Sequence, residues 1–345
     1  MKFRKLLYPF SWLYGGVTTV RNKLFDIGVL TEQSYTTPII SVGNITVGGT
    51  GKTPLTEYII RLLKDDYKLT LLSRGYKRHT KGALLANEGS SAATIGDEPF
   101  QVWKKFPMVN VCVAEKRVEG MELIRKNTQT SVVLMDDAYQ HRYVKPGLSL
   151  LVIDYNRPLW KDCPFPAGEL RETRAGQKRA DVIVVNKCPH TLSEEERSLW
   201  LKKINPGINQ EVYFTSIDYG KVQPVEQSNR SLELNTHIVG LAGIARPEGF
   251  FSHLKQHFKL EDTLTYPDHH HFIKRDVDAI RTMISQNDNS VIITTEKDAV
   301  RFDHLPEDIR AKSWYIPIEL KVLFNEEKQF ENRIHNYVTN HSDNC

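Results

Sequence analysis

Residues 38-PIISVGNITVGGTGKTPLTEYIIRLL-63 contain the clearest indication of the fold class. The stretch opens with apolar residues typical of a buried strand, passes through a glycine-rich loop, and continues with apolar residues every three or four positions, which predicts a helix. Such a loop binds phosphate through its backbone N–H groups and the positive end of the helix dipole. The usual pattern G-x-x-x-x-G-K-[ST] has glycine where this sequence has Thr46. The strand, loop and helix setting still predicts a nucleotide-binding loop.

The predicted nucleotide contacts run through the whole loop: Thr46, Val47, Gly48, Gly49, Thr50, Gly51, Lys52 and Thr53. Lys52 is expected to contact the phosphates and to be needed for catalysis. The hydroxyl of Thr53 is a candidate ligand of Mg²⁺. Thr46 relaxes the turn but removes none of these groups.

Outward from this stretch, apolar runs alternate with helical patterns. The runs that resemble strands are 38–44, 68–76, 107–114, 131–137, 148–154 and 181–187, and residues 117–127 form a helical pattern. Several runs are apolar on both faces, which is typical of a parallel sheet covered by helices on both sides. The predicted fold class is therefore α/β, a P-loop NTPase-like parallel sheet sandwiched by helices. Polar groups that end such strands are expected to meet at one edge of the sheet.

The pattern restarts after the polar stretch 221–235. Strands are predicted at 237–243 and 290–298, and helices at 247–258 and 274–286. A chain of 345 residues is long enough for two cores. We therefore predict an N-terminal amphipathic helix in residues 1–30, a nucleotide-binding domain in 31–220, and a smaller α/β domain in 221–345.

Residues 1–30 contain five basic residues and one acidic residue. Their apolar side chains step by threes and fours along one stripe, which comprises Leu6, Phe10, Leu13, Val17, Val20 and Leu24. Pro9, Gly15 and Gly16 interrupt the uncharged run, and a spanning helix needs roughly 20 apolar residues, so spanning is not expected. The favoured interpretation is a helix at a membrane surface. The alternative is a helix docked on its own domain.

The composition narrows the class of protein. A net charge of +4 does not by itself indicate a nucleic-acid partner, and it suits anionic small molecules or a membrane surface equally well. The four cysteines form no C-x-x-C pair, which indicates a reducing compartment with neither a disulfide framework nor a zinc site.

The segment 131-SVVLMDDAYQHR-142 places Asp136 at the end of a predicted buried strand. A carboxylate in this position binds Mg²⁺ in many nucleotide-hydrolysing proteins. Asp137 adds a second carboxylate, and adjacent carboxylates repel unless a cation or a proton lies between them. The alternative is an acidic turn after a strand, which is less plausible beside a phosphate-binding loop.

Four further polar motifs have a functional and an ordinary interpretation. Asp97 and Glu98 lie in the turn 96-GDEPF-100, and three histidines lie in 267-PDHHHF-272. Each of these could be a surface loop, and adjacent histidines diverge too much to bind one metal ion together. The motifs 73-SRGYKR-78 and 166-PAGELRETR-174 supply arginines that could bind an anionic substrate or simply be solvated.

These motifs occur in an order that resembles the tetraacyldisaccharide 4′-kinase family of Gram-negative bacteria. The resemblance is carried by VGNITVGGTGKTP, SRGY, GDEP, DDAYQHR, PAGELRE and PDHHHF, and it spans residues 1–300. The glycine-rich loop of that family is itself unusual, so Thr46 is expected. The sequence departs from the family at Ala138, where glycine is usual, and this puts the turn after Asp137 in question.

The resemblance implies transfer of the ATP γ-phosphoryl group to the 4′-hydroxyl of a tetraacylated disaccharide 1-phosphate, which forms lipid IVA in lipid A biosynthesis. It implies ATP and Mg²⁺ as cofactors and a peripheral location at the cytoplasmic face of the inner membrane. The predicted partners are this lipid substrate and a membrane surface contacted by residues 1–30. No nucleic-acid partner and no obligate protein partner are expected.

The resemblance also implies roles for single residues. Asp97 takes the proton of the 4′-hydroxyl, paired with His269 of the smaller domain. Mg²⁺ is expected to be bound by Thr53 and Asp136, with Glu98 as a further candidate. A last group is expected to contact the substrate or to orient the other residues: Asp137, Tyr76, Arg117, Arg171 and Glu172.

Two other classes of protein compete with this interpretation. A GTPase switch is suggested by 186-NKCP-189, which is half of the guanine-binding pattern Asn-Lys-x-Asp, but Cys188 replaces the aspartate. A peripheral membrane scaffold with a degenerate nucleotide site is the other. Thermal protection by ATP or by GTP would distinguish a kinase from the switch, and turnover dependent on Lys52 would eliminate the scaffold.

Overall fold

The computed structural model describes residues 6–226, 232–233, 236–268, 270–287 and 289–342. The predicted partner of Asp97, His269, lies outside the described residues, as do the basic residues of the first five positions.

The described residues contain fourteen strands. Their bounds are β1 (Ile39–Gly43), β2 (Leu69–Ser73), β3 (Leu84–Leu85), β4 (Asn110–Val113), β5 (Val132–Asp136), β6 (Leu148–Asp154), β7 (Val182–Asn186), β8 (Glu211–Tyr219), β9 (Gln223–Pro224), β10 (His237–Ala242), β11 (Leu260–Thr265), β12 (Ser290–Thr295), β13 (Ser313–Ile316) and β14 (Ile318–Val322).

The α-helices alternate with these strands. Within the described residues they are α1 (Tyr8–Asp26), α2 (Lys52–Leu63), α3 (Ala92–Ile95), α4 (Asp97–Lys105), α5 (Arg117–Asn127), α6 (Glu194–Ile204), α7 (Glu248–His257), α8 (Lys274–Ile284), α9 (Glu296–Ala299), α10 (Glu307–Arg310) and α11 (Glu327–Ser342).

The larger sheet has the strand order β14-β8-β7-β6-β1-β5-β2-β4-β3. Its central pairs are parallel, and only the flanking pairs β14–β8 and β3–β4 are antiparallel among the pairs described. Strands β1, β2, β5, β6 and β7 are buried along their whole length, as expected for a sheet covered by helices on both faces. This confirms the predicted fold class.

The parallel arrangement determines where the polar strand ends lie. The carboxyl ends of β1, β5, β6 and β7 share one edge of the sheet. The phosphate-binding loop follows β1, while Asp136, Asp154 and Asn186 end the other three strands. The sheet thus gathers residues separated by more than one hundred positions in the chain.

The smaller sheet has the order β11-β10-β12-β13-β9. We expected residues 221–345 to form the smaller domain, and the end of that range needs correction. Strand β14 pairs with β8 of the larger sheet, and Phe330, Ile334 and Val338 of α11 are buried in the core of the larger domain. The C-terminal segment returns because its apolar face completes that core.

The predicted strand at 290–298 is also too long. Strand β12 ends at Thr295, and α9 begins at Glu296. The Thr295 hydroxyl accepts a hydrogen bond from the backbone N–H of Asp298, which is a helix N-cap. The polar residues 296–298 therefore begin a helix.

Candidate active site

The first half of the phosphate-binding loop is paired with the chain at 169–171. Thr46 forms an antiparallel bridge with Leu170, the Val47 N–H donates to the Glu169 carbonyl at 2.7 Å, and the Arg171 N–H donates to the Ile45 carbonyl at 2.7 Å. Thr46 lies in an isolated β-bridge, where the backbone does not need the conformational freedom of glycine. The N–H group of Val47, a predicted nucleotide contact, is already bonded within the protein.

The second half of the loop contains the glycines that the turn requires. Gly48 and Gly51 have φ angles of 90° and 89°, a region that side chains with a Cβ rarely adopt. A Cβ on Gly51 would lie 2.1 Å from Nδ2 of Asn186. Gly51 therefore lets the loop approach β7 while α2 begins at Lys52.

Replacing Gly51 by alanine is expected to weaken nucleotide binding by about tenfold, because a strained backbone residue costs about 1–3 kcal/mol. Gly49→Ala is a matched control, since a Cβ there meets nothing within 4 Å. Isothermal titration with Mg-ATP measures both. Equal affinities for the two variants would show that the turn at Gly51 does not shape the binding loop.

Asn186 and Lys187 hold the same loop from β7. The Asn186 amide donates to the carbonyls of Thr50 at 3.2 Å and Gly51 at 3.3 Å, and the Lys187 ammonium donates to the Gly49 carbonyl and to Asp154. The neighbouring Cys188, which replaces the aspartate of the guanine-binding pattern, is buried, and burial raises the pKa of its thiol to about 12. The Asn-Lys pair that suggested guanine binding is thus used to support the phosphate-binding loop.

Asp136 and Asp137 lie at the end of β5 in different environments. Burial, followed by the nearby charge of Glu98, raises the pKa of Asp136 to about 7. Burial alone would also raise the pKa of Asp137, but Lys52 and Arg171 lower it to about 2. The Lys52 ammonium lies 3.4 Å and the Arg171 guanidinium 2.8 Å from the same Asp137 oxygen. Asp137 therefore stays ionised and holds two cations at the site.

The surroundings of Asp136 fit a magnesium ion. Its carboxylate is 4% exposed, and Glu98 and Asp137 oppose its ionisation electrostatically, so a cation would relieve repulsion among the three acids. Thr53 lies in the first turn of α2, and the Thr56 hydroxyl donates to Asp136 at 3.3 Å. The described residues offer no group of three acidic, histidine or cysteine side chains arranged as a complete metal site. Mg²⁺ needs only one or two carboxylates from a protein and completes its shell with phosphates and water.

Arg117 holds the backbone of the turn at Asp136 and Asp137 through hydrogen bonds. It is 3% exposed, and it donates to the carbonyls of Ala114 at 2.6 Å and Asp136 at 3.3 Å. Burial lowers its pKa to about 10. The left-handed φ of 46° in this turn belongs to Asp137, and Ala138 is buried behind it. The methyl group of Ala138 is accommodated because the unusual backbone conformation lies one residue earlier.

Asp97 begins α4, and the SRGY loop packs against it. Gly75 and Gly96 have φ angles of 67° and 92°, and a Cβ on Gly96 would lie 3.1 Å from the Tyr76 carbonyl oxygen. This close contact places the start of α4 beside the loop. The Tyr76 side chain is exposed.

The smaller domain adds cations that sequence reasoning missed. The Lys297 ammonium lies 3.2 Å from Glu98, and the Arg301 guanidinium lies 3.5 Å from Asp97. The signal that could have found them is the polar sequence at the carboxyl end of the parallel strand β12. The rule that polar groups collect at such strand ends, which predicted the position of Asp136, applies there as well.

Arg171 and Glu172 have separate roles. Arg171 faces Asp137, whereas Glu172 is 2% exposed and accepts two hydrogen bonds from Arg179 at 2.8 and 2.9 Å. Glu172 also accepts from Asn22 of α1 at 2.8 Å. Glu172 thus connects α1 to the larger domain, which makes it an orienting residue.

Helix α1 docks through its small and polar residues. A Cβ on Gly15 would lie 3.2 Å from Pro164, and the Ser11 hydroxyl accepts from the Ala167 N–H at 2.8 Å. The predicted apolar stripe points away: Phe10, Leu13, Val17 and Val20 are each at least 60% exposed. The helix is therefore docked on its own domain, which was the alternative interpretation, and it keeps an apolar face toward the outside. Its contact with a membrane surface stays a prediction.

Comparisons with known proteins identify the family. A model of the family described as tetraacyldisaccharide-1-P 4′-kinase matches residues 3–339. A tetraacyldisaccharide 4′-kinase of Bacteroides thetaiotaomicron is 44% identical over all of this chain and 96% of that protein, and one of Flavobacterium psychrophilum is 44% identical over 99% and 98%. The crystal structure of LpxK from Aquifex aeolicus in complex with ATP has a TM-score of 0.77 and 27% identity, covering 97% of this chain and 99% of that one.

Proposed function

This chain belongs to the tetraacyldisaccharide-1-P 4′-kinase family, and we propose that the edge formed by the phosphate-binding loop, Asp136, Asp137 and α4 carries its reaction. The chain is a tetraacyldisaccharide 4′-kinase of lipid A biosynthesis, which transfers the ATP γ-phosphoryl group to the 4′-hydroxyl of its lipid substrate to give lipid IVA. A GTPase switch is not favoured.

Phosphoryl transfer depends mainly on positioning and on neutralising charge. We assign Lys52 and the N–H groups of Gly48, Gly49, Thr50 and Gly51 to the phosphates of ATP. Asp137 keeps Lys52 and Arg171 directed toward that position, since both cations contact its carboxylate. Thr53 and Asp136, with Glu98, would hold Mg²⁺, which neutralises phosphate charge when bound.

The acceptor hydroxyl needs a base, because a sugar hydroxyl is a poor nucleophile at neutral pH. We assign this role to Asp97 with His269 as its partner. Asp97 begins α4, and its neighbour Glu98 lies close enough to Asp136 to raise the pKa of that carboxyl. Arg171 and Tyr76 are the candidates for substrate contact at this edge.

The observation that carries the proposal is the convergence of Lys52, Arg171 and the Asp136–Asp137 pair at the end of β5. The test is incubation with Mg-ATP and a monophosphorylated tetraacyl disaccharide, followed by mass spectrometry. A product heavier by one phosphate, formed with ATP and not with GTP, is expected. Hydrolysis of ATP without a phosphorylated lipid would contradict the assignment.

The lipid substrate makes a membrane contact part of the proposal. Among the described helices, none is both long and apolar enough to cross a bilayer. Helix α1 instead offers Trp12 and Leu13 at 77% and 69% exposure, as an interfacial helix does. We place this face at the cytoplasmic surface of the inner membrane, where ATP is available.

Replacing Phe10, Leu13 and Val17 together by serine is expected to lower activity on vesicle-bound substrate by about tenfold or more, since each buried apolar side chain contributes roughly 1.5–3 kcal/mol. Activity on detergent-dispersed substrate should change little, because the docking residues Ser11 and Gly15 are kept. Ile208→Ser, at another fully exposed apolar residue, is the control. An equal loss in both assays would place this face in the fold of the domain.

A further inference from the structure

Two cations of the smaller domain lie between the start of α4 and the residues Asp268 and His270. Lys297 is the second residue of α9, and Arg301 follows the end of that helix. The Lys297 side chain is 23% exposed and the Arg301 side chain 4%. Cations this far from water require close partners, because their desolvation is costly.

Lys297 joins two acidic residues from different parts of the chain. Its ammonium lies 3.2 Å from Glu98 and 3.3 Å from Asp268. Burial alone would lower the pKa of Lys297, but these carboxylates raise it above its ordinary value. Lys297 therefore remains charged and ties the residue after Asp97 to the residue before His269.

Arg301 makes the corresponding connection on the other side. Its Nε lies 3.5 Å from Oδ2 of Asp97, and its Nη1 donates to the His270 carbonyl at 2.9 Å. Arg301 thus ties Asp97 itself to the residue after His269. The contact with His270 is a hydrogen bond, whereas the contact with Asp97 is an ion pair at 3.5 Å.

Arg301 is anchored firmly enough to serve this purpose. Its Nη2 donates to Asp298 at 2.5 Å, and Asp298 accepts from the Gly243 N–H at 2.8 Å and the Thr295 hydroxyl at 2.7 Å. Asp298 is fully buried. The guanidinium is therefore fixed to the ends of β10 and β12.

A third ion pair fixes the direction of α4. Glu296 of α9 pairs with Lys105 at 2.5 Å, and Lys105 also pairs with Glu57 of α2 at 2.7 Å. At the start of α4, Asp97 and Glu98 thus face the cations Arg301 and Lys297. At its end, the cation Lys105 faces the acid Glu296. A displacement along α4 would bring like charges together, which is unfavourable.

We propose that Lys297 and Arg301 are positioning residues that bring Asp97 into register with Asp268 and His270, the residues on either side of position 269. Each cation contacts one of the acids at 97–98 and one residue adjoining position 269. The proposal rests on the proposed function, because it takes Asp97 as the base. It adds that the smaller domain sets the position of this base.

The variants Lys297→Met and Arg301→Met remove one tie each and keep much of the side-chain volume. Turnover should fall by about 10- to 100-fold, the scale expected when a reacting group is displaced by about 1 Å, with little change in KM for ATP. Arg301→Lys should recover part of the turnover. Arg281→Met is the control, since Arg281 makes a two-contact ion pair with Asp308 on the exposed surface of the same domain.

Hydrogen exchange supplies a measurement that needs no substrate. Peptides covering 266–272 and 95–105 should exchange faster in Lys297→Met and Arg301→Met than in the wild type, while Arg281→Met should match the wild type. If Arg301→Met does not fold because Asp298 loses its partner, Lys297→Met still tests the idea.

Unchanged exchange in both peptides, or a loss confined to KM for ATP, would overturn the positioning role. An inactive wild-type protein would instead refute the proposed function, and the exchange measurement would still show whether the two cations hold Asp268 and His270 in place. The two failures are therefore distinguishable.

Discussion

Lys52→Ala is expected to lower kinase turnover by about 10³-fold or more, the scale on which a fixed cation stabilises transferred phosphoryl charge. Lys52 lies at the first position of α2 with its ammonium 3.4 Å from Asp137. Steady-state kinetics with Mg-ATP and the disaccharide give the measurement. The fold should survive, because the side chain contributes one ion pair and no core packing.

The matched control is Lys64→Ala, at the other end of the same helix, where the lysine pairs only with its neighbour Asp65 among the ion pairs described. This variant should turn over like the wild type. Near-normal turnover of Lys52→Ala would show that the loop at 48–53 does not bind the transferred phosphate, and the kinase mechanism proposed here would have to be abandoned.

Asp97→Asn is expected to lower turnover by about 10²–10⁴-fold, the usual contribution of a general base. Affinity for ATP should change little, since Asp97 lies on α4, outside the phosphate-binding loop. Asp65→Asn, at an exposed carboxylate, is the control. A loss of ATP affinity with normal turnover at saturating ATP would assign Asp97 to nucleotide binding.

A kinetic cycle with His269→Ala tests whether the two residues act in one step. His269→Ala alone should cost less than Asp97→Asn, because water can partly replace an orienting partner. The double variant should be hardly slower than Asp97→Asn, as for residues that share a single function. Fully multiplicative losses would make His269 an independent contact.

The strand, glycine-rich loop and helix of residues 38–63 and the parallel sheet were predictable because their signals are local. A buried strand, two glycines, Gly-Lys-Thr and a helical period lie within 26 consecutive residues. The position of Asp136 followed from one further rule, that a carboxylate at the end of a parallel strand reaches the common edge. The fold class and the activity are confirmed, while the roles assigned to single residues remain predictions.

Some roles could not be separated in the sequence because they depend on which face a side chain presents. Arg171 and Glu172 are neighbours, yet one faces Asp137 and the other is buried against Arg179 and Asn22. The apolar stripe of α1 likewise did not show whether it faces the domain or the outside. An amphipathic pattern shows that two faces differ, but not which face docks when small residues such as Gly15 provide the contact.

The glycine-rich loop, the acidic strand end and the α/β class could be predicted, since each depends on residues close together in the chain. The tertiary structure was needed to show that residues 318–342 return to the larger sheet and that Lys297 and Arg301 meet the acids at 97–98. Those partners are about 100 to 300 residues apart, and nothing in the local pattern of either segment specifies the other. Their contact follows from the packing of two domains, which buries the charges and so makes their pairing necessary.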